Sequence, residues 1–365
     1  MAESRAKVVY ILPLYDRNTD THLYYNYELI RALGGRMDLK VVVEKAPMGG
    51  AGPAAEWVDL GHPVIAQKQT RGLRRFFELV SILGKLKREG YKDFYVHYSY
   101  YGALAGWCVG GRVFYWNRGM PWLFERGFFE EQMFRFILRR TILVTSPESL
   151  AKEYVKRYGV KNYKILSNWI DVDAFSPKDS KEDAKRALNL DHAKKYILFV
   201  HRLSERKGAD LIAKTAARLA SLENIEFVVA GDGPYREKLK EEAMISTVPV
   251  KMLGKIPNAK IPNYFRAADI FFMPSREEGS PHVILEAMAA GTPFVAADVG
   301  GVREIIPKEA EEFLCPAENI EAFSEKIKEL LGDSQRYAAF RETGLRHAKN
   351  FSLERGVKEF IALFE

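Results

Sequence analysis

Cysteine is scarce in this sequence, which contains only Cys108 and Cys315 among its 365 residues. So few cysteines exclude a disulfide framework and a paired-cysteine metal knuckle, and they favour a reducing compartment. Long apolar runs are missing too, since the run at residues 8–14 is too short to span a membrane and lacks the cleavage region of a signal peptide. These absences predict a cytoplasmic protein that is either free or peripheral at the inner face of the membrane.

Glycine is missing where a dinucleotide-binding turn would need it. Residues 16–30, after the first predicted strand, contain no glycine, which excludes the GxGxxG turn of NAD-dependent dehydrogenases. The stretch offers Asp20, Thr21 and His22, either as polar contacts to a ligand or, for Asp20 and Thr21, as helix caps. The seven histidines are scattered through the sequence, so we expect no metal site.

The residues that are present indicate a folded chain whose halves differ in charge. Hydrophobic residues make up 47% of the sequence, enough for two ordinary domain cores. Residues 1–175 contain 26 Lys and Arg against 18 Asp and Glu, a net charge of +8, whereas residues 176–365 contain 29 against 30, a net charge of −1. The basic excess of the first half favours an anionic partner such as phosphate or an acidic membrane surface.

Short β-branched runs alternate with amphipathic stretches through both halves, a pattern typical of parallel sheets covered by helices. Strands are predicted at residues 7–14, 39–44, 94–97, 113–116, 142–145, 164–166, 196–200, 226–230, 250–253, 270–273, 294–296 and 312–315. The predicted fold class is therefore α/β, with two Rossmann-like series. We expect domains at 1–175 and 176–350, and a last helix within 351–365 that packs back on the first domain.

The most informative segment is residues 277–296, EEGSPHVILEAMAAGTPFVA, which follows a predicted strand. Ser280 is predicted to cap a helix that has Pro281 at its first position. The backbone N–H groups near His282 and Val283 would then form an anion site at the helix N-terminus.

Two carboxylates flank this predicted anion site, and a glycine lets a ligand approach the backbone. Glu278 precedes the helix and Glu286 lies within it, while Gly279 removes a side chain from the approach. Carboxylates accept hydrogen bonds from hydroxyls, so the pocket suits a ligand with both phosphates and polyol groups, such as a nucleotide sugar. A capped surface helix with solvated glutamates is the alternative interpretation of the pair alone.

Two further loops are predicted at the same edge of the second sheet. HRLSERKG, residues 201–208, supplies Arg202 and Lys207, which suit a diphosphate and are expected on an exposed loop. GDGP, residues 231–234, begins with Gly231 and predicts a tight turn. Because ligands of open α/β sheets bind at the carboxyl edge, three such loops together indicate a phosphate site.

These residues resemble a known family. The stretch LGKIPNAKIPNYFRAADIFFMPSREEGSPHVILEAMAAGTPFVAADVGGVREII, residues 253–306, together with FVHRLSERKG, VVAGDGP and SNWIDVDAF, is similar to the retaining glycosyltransferases of family four. The Glu-x7-Glu pattern of Glu278 and Glu286 is specific when it is joined to the Arg/Lys loop and GDGP. The first half resembles the family only in its strand and helix rhythm.

The resemblance implies a GT-B fold, in which two Rossmann-like domains face each other across a cleft. It implies a nucleotide-sugar donor in the second domain, an acceptor mainly in the first, and no required metal or other cofactor. Arg202 and Lys207 would stabilise the leaving diphosphate, Glu278 would hold donor-sugar hydroxyls, and Glu286 would hold the ribose. The main-chain groups that would meet the base are those around Leu253 and Gly254.

The first half departs from the family's pattern at the donor-sugar histidine. YWNRGMPW, residues 115–122, occupies the expected stretch, so Asn117 or Arg118 would replace the histidine. His97, at the end of a predicted strand, is the other candidate, and a plain buried histidine is the alternative interpretation.

Two basic amphipathic stretches in the first half, residues 71–88 and 126–140, bear on the acceptor. Such helices can lie on anionic lipid and bring a lipid-linked acceptor to the site, or they can be ordinary helices with a solvated basic face. No nucleic-acid-binding motif accompanies the charge, so we expect no nucleic acid partner.

We therefore predict a retaining hexosyltransferase that acts on a growing glycan or a lipid-linked acceptor. Two other functions remain open at this point. One is another GT-B enzyme, a sugar-nucleotide epimerase or a phosphorylase, and the other is a catalytically silent subunit that binds a nucleotide sugar.

Overall fold

The structure is a computed structural model that describes residues 6–15, 23–45, 60–68 and 72–365. The chain divides into two compact units, of which Met1–Ser167 with Leu353–Glu365 form the first and Asn168–Ser352 the second. The division falls after residue 167 and not after 175, because the short helix Val172–Phe175 packs on helices of the second unit.

The first unit is built on a parallel sheet. Its described strands are β1 (Lys7–Leu12), β2 (Asp38–Val43), β3 (Val64–Ala66), β4 (Asp93–His97), β5 (Arg112–Trp116), β6 (Ile142–Thr145) and β7 (Tyr163–Ile165). They pair in the order β3-β2-β1-β4-β5-β6-β7. Its described helices up to Ser167 are α1 (Leu23–Ala32), α2 (Gly72–Arg88), α3 (Tyr100–Cys108), α4 (Phe128–Arg140) and α5 (Glu148–Tyr158).

The second unit repeats this arrangement with a six-stranded parallel sheet. Its strands are β8 (Lys195–Val200), β9 (Ile225–Ala230), β10 (Val250–Gly254), β11 (Ile270–Met273), β12 (Phe294–Ala297) and β13 (Leu314–Cys315). They pair in the order β10-β9-β8-β11-β12-β13. Its helices are α6 (Val172–Phe175), α7 (Lys181–Ala187), α8 (Ala209–Arg218), α9 (Arg236–Met244), α10 (Ile261–Ala267), α11 (His282–Ala290), α12 (Val302–Ile305), α13 (Ile320–Gly332) and α14 (Ser334–Ala348).

The described chain is completed by one more helix, α15 (Leu353–Ala362), and by short 3₁₀ turns. These turns are Pro121–Leu123, Glu205–Lys207, Asn258–Lys260, Lys308–Phe313 and Lys349–Phe351.

The predicted α/β class is confirmed, and the strand sequences show why the sheets are buried. Five of the six residues of β1 are buried, as expected for a strand covered by helices on both faces. The edge strand β3 was not predicted, because three residues are too few to show a periodicity. At the end of the second sheet, β13 begins at Leu314 and not at residue 312, because the preceding residues form a 3₁₀ turn.

The last helix returns to the first unit, as the sequence predicted. Phe360 of α15 is fully buried and stacks on Tyr10 of β1, with ring centroids 5.8 Å apart. The Phe360 ring also meets Tyr95 of β4 at 4.8 Å. At the helix N-terminus, Arg36 pairs with Glu354 at 2.7 Å. An aromatic cluster therefore fixes the end of the chain to the first sheet.

We predict that Phe360→Ala lowers the free energy of unfolding by about 3 to 5 kcal/mol, because it leaves a cavity between α15 and the sheet. Lys358→Ala on the same helix is the matched control, since the Lys358 side chain is 74% exposed and its removal should cost less than about 0.5 kcal/mol. Urea unfolding followed by circular dichroism measures both changes. Equal effects of the two variants would contradict the packing of α15 on this sheet.

Candidate active site

The loops that follow β8 and β9 are packed backbone to backbone at the carboxyl edge of the second sheet. The Leu203 N–H donates to the Asp232 carbonyl at 3.0 Å. A Cβ on Gly231, whose φ is +151°, would lie 1.9 Å from the His201 carbonyl oxygen, and one on Gly233 would lie 2.2 Å from that of Leu203. The GDGP turn therefore forms, and its glycines allow the two loops to touch.

The segment predicted to meet the base lies beside this turn. Leu253 and Gly254 end β10, which pairs with β9 at the edge of the sheet. The Gly231 N–H donates to the Gly254 carbonyl at 2.8 Å. Both residues of the pair Leu253 and Gly254 are half-buried.

A buried ion pair joins the loop after β8 to the loop after β11. Lys207 Nζ lies 2.7 Å from Glu278 Oε1, and both side chains are buried. The same ammonium donates to the Glu277 carbonyl at 3.1 Å. An ammonium has three N–H groups, so one N–H of Lys207 is left without an acceptor among the described residues.

The ion pair changes the protonation of both partners. Burial raises the pKa of Glu278, but a hydrogen bond from His201 and the charge of Lys207 outweigh it, so the pKa falls to about 2. Burial lowers the pKa of Lys207, and the Glu278 carboxylate opposes this shift. Because the Glu278 pKa is depressed, its stabilising effect is present above the usual pKa of a glutamate and is lost as the pH falls towards 2.

His201, at the end of β8, is a site residue that the sequence analysis missed. Its Nε2 lies 3.4 Å from Glu278 Oε1, and its Nδ1 accepts the backbone N–H of Arg202 at 2.8 Å. Burial lowers the pKa of His201, and the Glu278 carboxylate opposes this shift. Its position next to Arg202 at a strand end was the signal available in the sequence.

Arg202 differs from Lys207 in its surroundings. The Arg202 side chain is exposed, and its guanidinium forms no ion pair within the described part of the chain. The sequence predicted that Arg202 and Lys207 both lie on an exposed loop. That prediction is wrong for Lys207, because its pairing with Glu278 draws it into the interior.

The start of α11 differs in detail from the prediction. The helix begins at His282 with Pro281 as its N-cap residue, so Ser280 is not the cap and Pro281 is not the first helical residue. No side chain caps this end. The backbone N–H groups of His282 and Val283 belong to the first turn of this helix, where the helix dipole favours an anion.

The two residues Gly279 and Ser280, which precede α11, accept hydrogen bonds from the backbone and from one asparagine side chain. The Asn168 amide donates to the Ser280 carbonyl and lies 3.4 Å from His282 Nδ1. Gly279 accepts the Gly301 N–H at 3.0 Å through its carbonyl. The Ser280 hydroxyl is buried and has no hydrogen-bond partner among the described residues.

Glu286 lies one turn into α11 and is buried, with 4% of its surface exposed. The spacing from His282 to Glu286 is four residues, so both side chains lie on one face of the helix. The predicted solvated glutamate pair is thus excluded for both Glu278 and Glu286, since neither is exposed.

Arg276, which the sequence analysis also missed, clamps the two loops together from outside. Its guanidinium forms two hydrogen bonds to Asp210, of 2.7 and 2.8 Å, and also donates to the Glu205 carbonyl and to Glu318. The Arg276 backbone N–H donates to the Arg206 carbonyl at 2.9 Å. This clamp fixes the loop that carries Lys207.

The first-unit candidates are enclosed in their own unit. His97 is fully buried and stacks on Trp116, with centroids 4.0 Å apart and planes 18° apart. This placement agrees with the interpretation of His97 as a buried histidine. The other histidine candidate, His22, lies outside the described residues.

Asn117 and Arg118 make structural contacts instead of an open binding surface. Asn117 Oδ1 accepts the Gly119 N–H and the Tyr154 hydroxyl, both at 2.9 Å. The Arg118 guanidinium donates to the carbonyls of Leu166 and Ser167, and burial lowers its pKa to about 10. The contact of Asn117 or Arg118 with a donor sugar stays a prediction.

Among the described residues, no three His, Cys, Asp or Glu side chains lie close enough together to hold a metal ion. The ionisable groups of the site are the lysine, arginine, histidine and glutamate side chains already named.

Comparison with known proteins identifies the family of this chain. Residues 180–347 match the family of glycosyl transferases group 1. The lipopolysaccharide core biosynthesis mannosyltransferase of Rhizobium meliloti is 33% identical over 240 residues, which cover 63% of this chain and 67% of that protein. The chain belongs to the glycosyl transferases group 1 family.

Further relatives of this group 1 chain are similar over a smaller part of their length. The D-inositol 3-phosphate glycosyltransferase of Corynebacterium urealyticum is 31% identical over 213 residues, 55% of this chain and 50% of the relative. The chain thus spans from about two fifths to two thirds of the length of the curated relatives that it matches.

Solved structures agree on the GT-B fold. Anabaena HepE in complex with UDP and glucose superposes with a TM-score of 0.78 and 17% identity, over 98% of this chain and 99% of that chain. WaaG, a glycosyltransferase involved in lipopolysaccharide biosynthesis, superposes with a TM-score of 0.71 and 19% identity, over 98% and 99%.

We predict that Lys207→Met lowers the free energy of unfolding of this group 1 chain by about 3 to 5 kcal/mol, because Glu278 is left buried without its cation. Arg202→Ala should change it by less than about 0.5 kcal/mol, since the side chain is exposed. Urea unfolding at neutral pH measures both. The double variant Lys207→Met/Glu278→Gln should recover part of the loss, and a single variant as stable as the wild type would show that the pair contributes nothing.

Proposed function

We propose that this chain is a retaining hexosyltransferase that takes its sugar from a nucleotide donor and passes it to a glycan or lipid-linked acceptor. The observation that carries the proposal is the buried ion pair between Lys207 and Glu278. Glu278 lies four residues before the start of α11, which has no side-chain cap. A cation, a carboxylate and a helix N-terminus then lie on loops of one sheet edge, where ligands of α/β sheets bind.

The donor would be divided among these groups according to their chemistry. The remaining N–H of Lys207, the exposed Arg202 guanidinium and the α11 N-terminus would bind the diphosphate. Glu278 Oε1 is occupied by Lys207 and His201, while Oε2 accepts no hydrogen bond from the described residues and would accept donor-sugar hydroxyls.

The nucleoside would lie towards the edge of the sheet. Glu286 would accept hydrogen bonds from the ribose hydroxyls, and the main chain of Leu253 and Gly254 would meet the base. Crystallised HepE binds UDP and glucose, and UDP-glucose, which supports a uridine nucleotide among the donors to test.

The chemistry follows from the charge that develops in the reaction. The bond from the anomeric carbon to the phosphate oxygen breaks, negative charge grows on the diphosphate, and fixed cations and N–H dipoles lower the barrier. The acceptor oxygen attacks from the same face and passes its proton to the departing phosphate. This route retains the anomeric configuration and needs no enzyme nucleophile.

Removing Arg202 tests the donor site. We expect Arg202→Ala to reduce turnover of the preferred nucleotide sugar by about a hundredfold, the scale for loss of one charge-stabilising donor. Arg206→Ala is the matched control, because Arg206 is an exposed cation of the same loop that faces Glu277 at 3.9 Å. Thermal shifts with UDP, GDP and ADP and with their glucose and mannose conjugates identify the donor, since a ligand at 100 times its dissociation constant stabilises the fold by about 2.7 kcal/mol.

Two results would contradict the proposed activity. One is full turnover by Arg202→Ala, and the other is a product of inverted anomeric configuration by NMR. Epimerisation or hydrolysis of the nucleotide sugar at the full rate without an acceptor would favour the other class of GT-B enzyme.

The acceptor side of the proposal rests on an exposed apolar surface in the first unit, here called the aromatic rim. Its members are 46–86% exposed, and they lie in the first two turns of α2, in and directly after the 3₁₀ turn that precedes α4, and at the start of α4. Both helices follow strands of a parallel sheet and so begin at its carboxyl edge. The members of the aromatic rim are Leu73, Phe77, Leu123, Phe124, Phe128 and Phe129. Large exposed apolar side chains are typical of an interaction surface.

The aromatic rim changes the basis of the membrane prediction. Of the cations predicted to face anionic lipid, Arg75 pairs with the buried Glu44 and Lys87 donates to the Val109 carbonyl, while Arg71 lies outside the described residues. We therefore propose a lipid surface that is met mainly by aromatic side chains. Every helix of the described residues is too short or too polar to cross a bilayer.

We expect Phe128→Ser/Phe129→Ser to weaken binding to vesicles of phosphatidylglycerol and phosphatidylethanolamine by at least tenfold, since each phenylalanine moved out of water contributes about 1.5 to 3 kcal/mol. The control is Met244→Ser/Ile245→Ser in the second unit, whose side chains are 75% and 86% exposed. Flotation at low and high salt separates the aromatic from the electrostatic contribution. Equal losses in both double variants, or no binding by the wild type, would contradict the lipid surface.

A further inference from the structure

The His201 ring bridges two parts of the candidate site. On one side it accepts the Arg202 backbone N–H at Nδ1, and on the other its Nε2 lies 3.4 Å from Glu278 Oε1. Lys207 Nζ approaches the same Glu278 oxygen at 2.7 Å. One carboxylate oxygen therefore receives two donors.

These contacts assign the tautomer of His201. A ring nitrogen that faces a backbone N–H must be the acceptor, so the neutral imidazole carries its proton on Nε2. The Nε2–H then faces Glu278 Oε1, as a donor should. A second proton on Nδ1 would face the Arg202 N–H at 2.8 Å, and two donors repel at that distance.

The bridge has a consequence for Glu278. Lys207 alone is a compact charge on a flexible stem, and it can follow either carboxylate oxygen as the group rotates. The imidazole is rigid and anchored at its far side, so it fixes Oε1 towards the protein and leaves Oε2 for a ligand.

We propose that His201 is a positioning residue which, as the Nε2–H tautomer, orients Glu278 so that one carboxylate oxygen faces the sugar of the donor. This inference rests on the proposed function, since it needs a nucleotide sugar at this edge of the sheet. His201 would thereby help the site to bind a nucleotide sugar more tightly than the nucleoside diphosphate alone.

The protonation state of the ring then controls the sugar contact. The charged groups that face His201 are Glu278, which favours the imidazolium, and Lys207 and Arg206, which oppose it. Burial also disfavours the imidazolium and lowers the pKa of His201 below its usual value of 6.5. The neutral ring therefore predominates at pH 7, and the bridge to Arg202 is lost only on acidification.

Two substitutions test the contacts of the two His201 ring nitrogens separately. His201→Gln can place an amide N–H near the position of Nε2 and donate to Glu278, but it does not titrate. His201→Asn can accept the Arg202 N–H near the position of Nδ1, but it does not reach Glu278. The pair thus separates the contact with Glu278 from the anchoring of the loop.

The readout is the ratio of the dissociation constants of UDP and UDP-glucose, and of GDP and GDP-mannose, measured by calorimetry from pH 5 to pH 8. His201→Asn should weaken binding of the nucleotide sugar by about tenfold, the lower end for loss of a hydrogen bond to a charged group. It should change the dissociation constant of the nucleoside diphosphate by less than about twofold. His201→Gln should keep the wild-type ratio at pH 7. The wild-type ratio should fall below pH 6, and that of His201→Gln should not.

Equal ratios in the wild type and His201→Asn would overturn the role of His201 while leaving the proposed function intact, and so would identical pH profiles for the wild type and His201→Gln. A wild-type chain that binds neither nucleotide sugar would overturn the proposed function and this inference with it. Equal weakening of diphosphate and nucleotide sugar in both variants would assign His201 to folding of the loop only.

Discussion

The ionised Glu278 carboxylate cannot stay buried in the second unit without positive charge and donors beside it. Lys207 supplies the charge and His201 a second donor, and both come from the loop after β8, whereas Glu278 follows β11. The two loops must therefore meet at atomic distance. Breaking such a pair leaves an uncompensated charge, which is far more costly than losing a surface ion pair.

This requirement accounts for several features of the neighbouring backbone. Gly208 has φ +72°, and a Cβ there would lie 2.2 Å from the Pro274 carbonyl oxygen. Only glycine lets the end of the Lys207 loop approach the strand that leads to Glu278. Arg276 closes the same junction from outside through its bidentate pair with Asp210, which holds the beginning of α8. The site is thus preorganised by contacts that do not themselves touch a ligand.

The sequence predicted the parts of this arrangement that are local or follow from topology. Parallel strands place their loops at one edge, so the meeting of residues 201–208, 231–234 and 277–281 needed only the strand pattern. The burial of Lys207 was not predictable in this way, because it depends on a partner 71 residues further along the chain. Likewise, the bonds of Arg118 to the carbonyls of Leu166 and Ser167 could not be predicted from the local sequence. The local sequence pattern shows which functional groups are present, whereas contacts between distant residues determine whether those groups are buried, paired or exposed.

The same pair shows how a buried amine could serve the proposed reaction, which needs a full positive charge. Burial alone lowers the pKa of Lys207, which would favour a neutral amine and remove its value to a departing diphosphate. Glu278 opposes that shift, so the carboxylate favours the charged ammonium. In the proposed function, the third N–H of Lys207 would bind the donor phosphate without breaking the bond to Glu278 Oε1, while Oε2 would accept from the sugar. One carboxylate would then keep Lys207 charged through one oxygen and recognise the transferred group through the other, which would give a function to the two donors on a single side of Glu278.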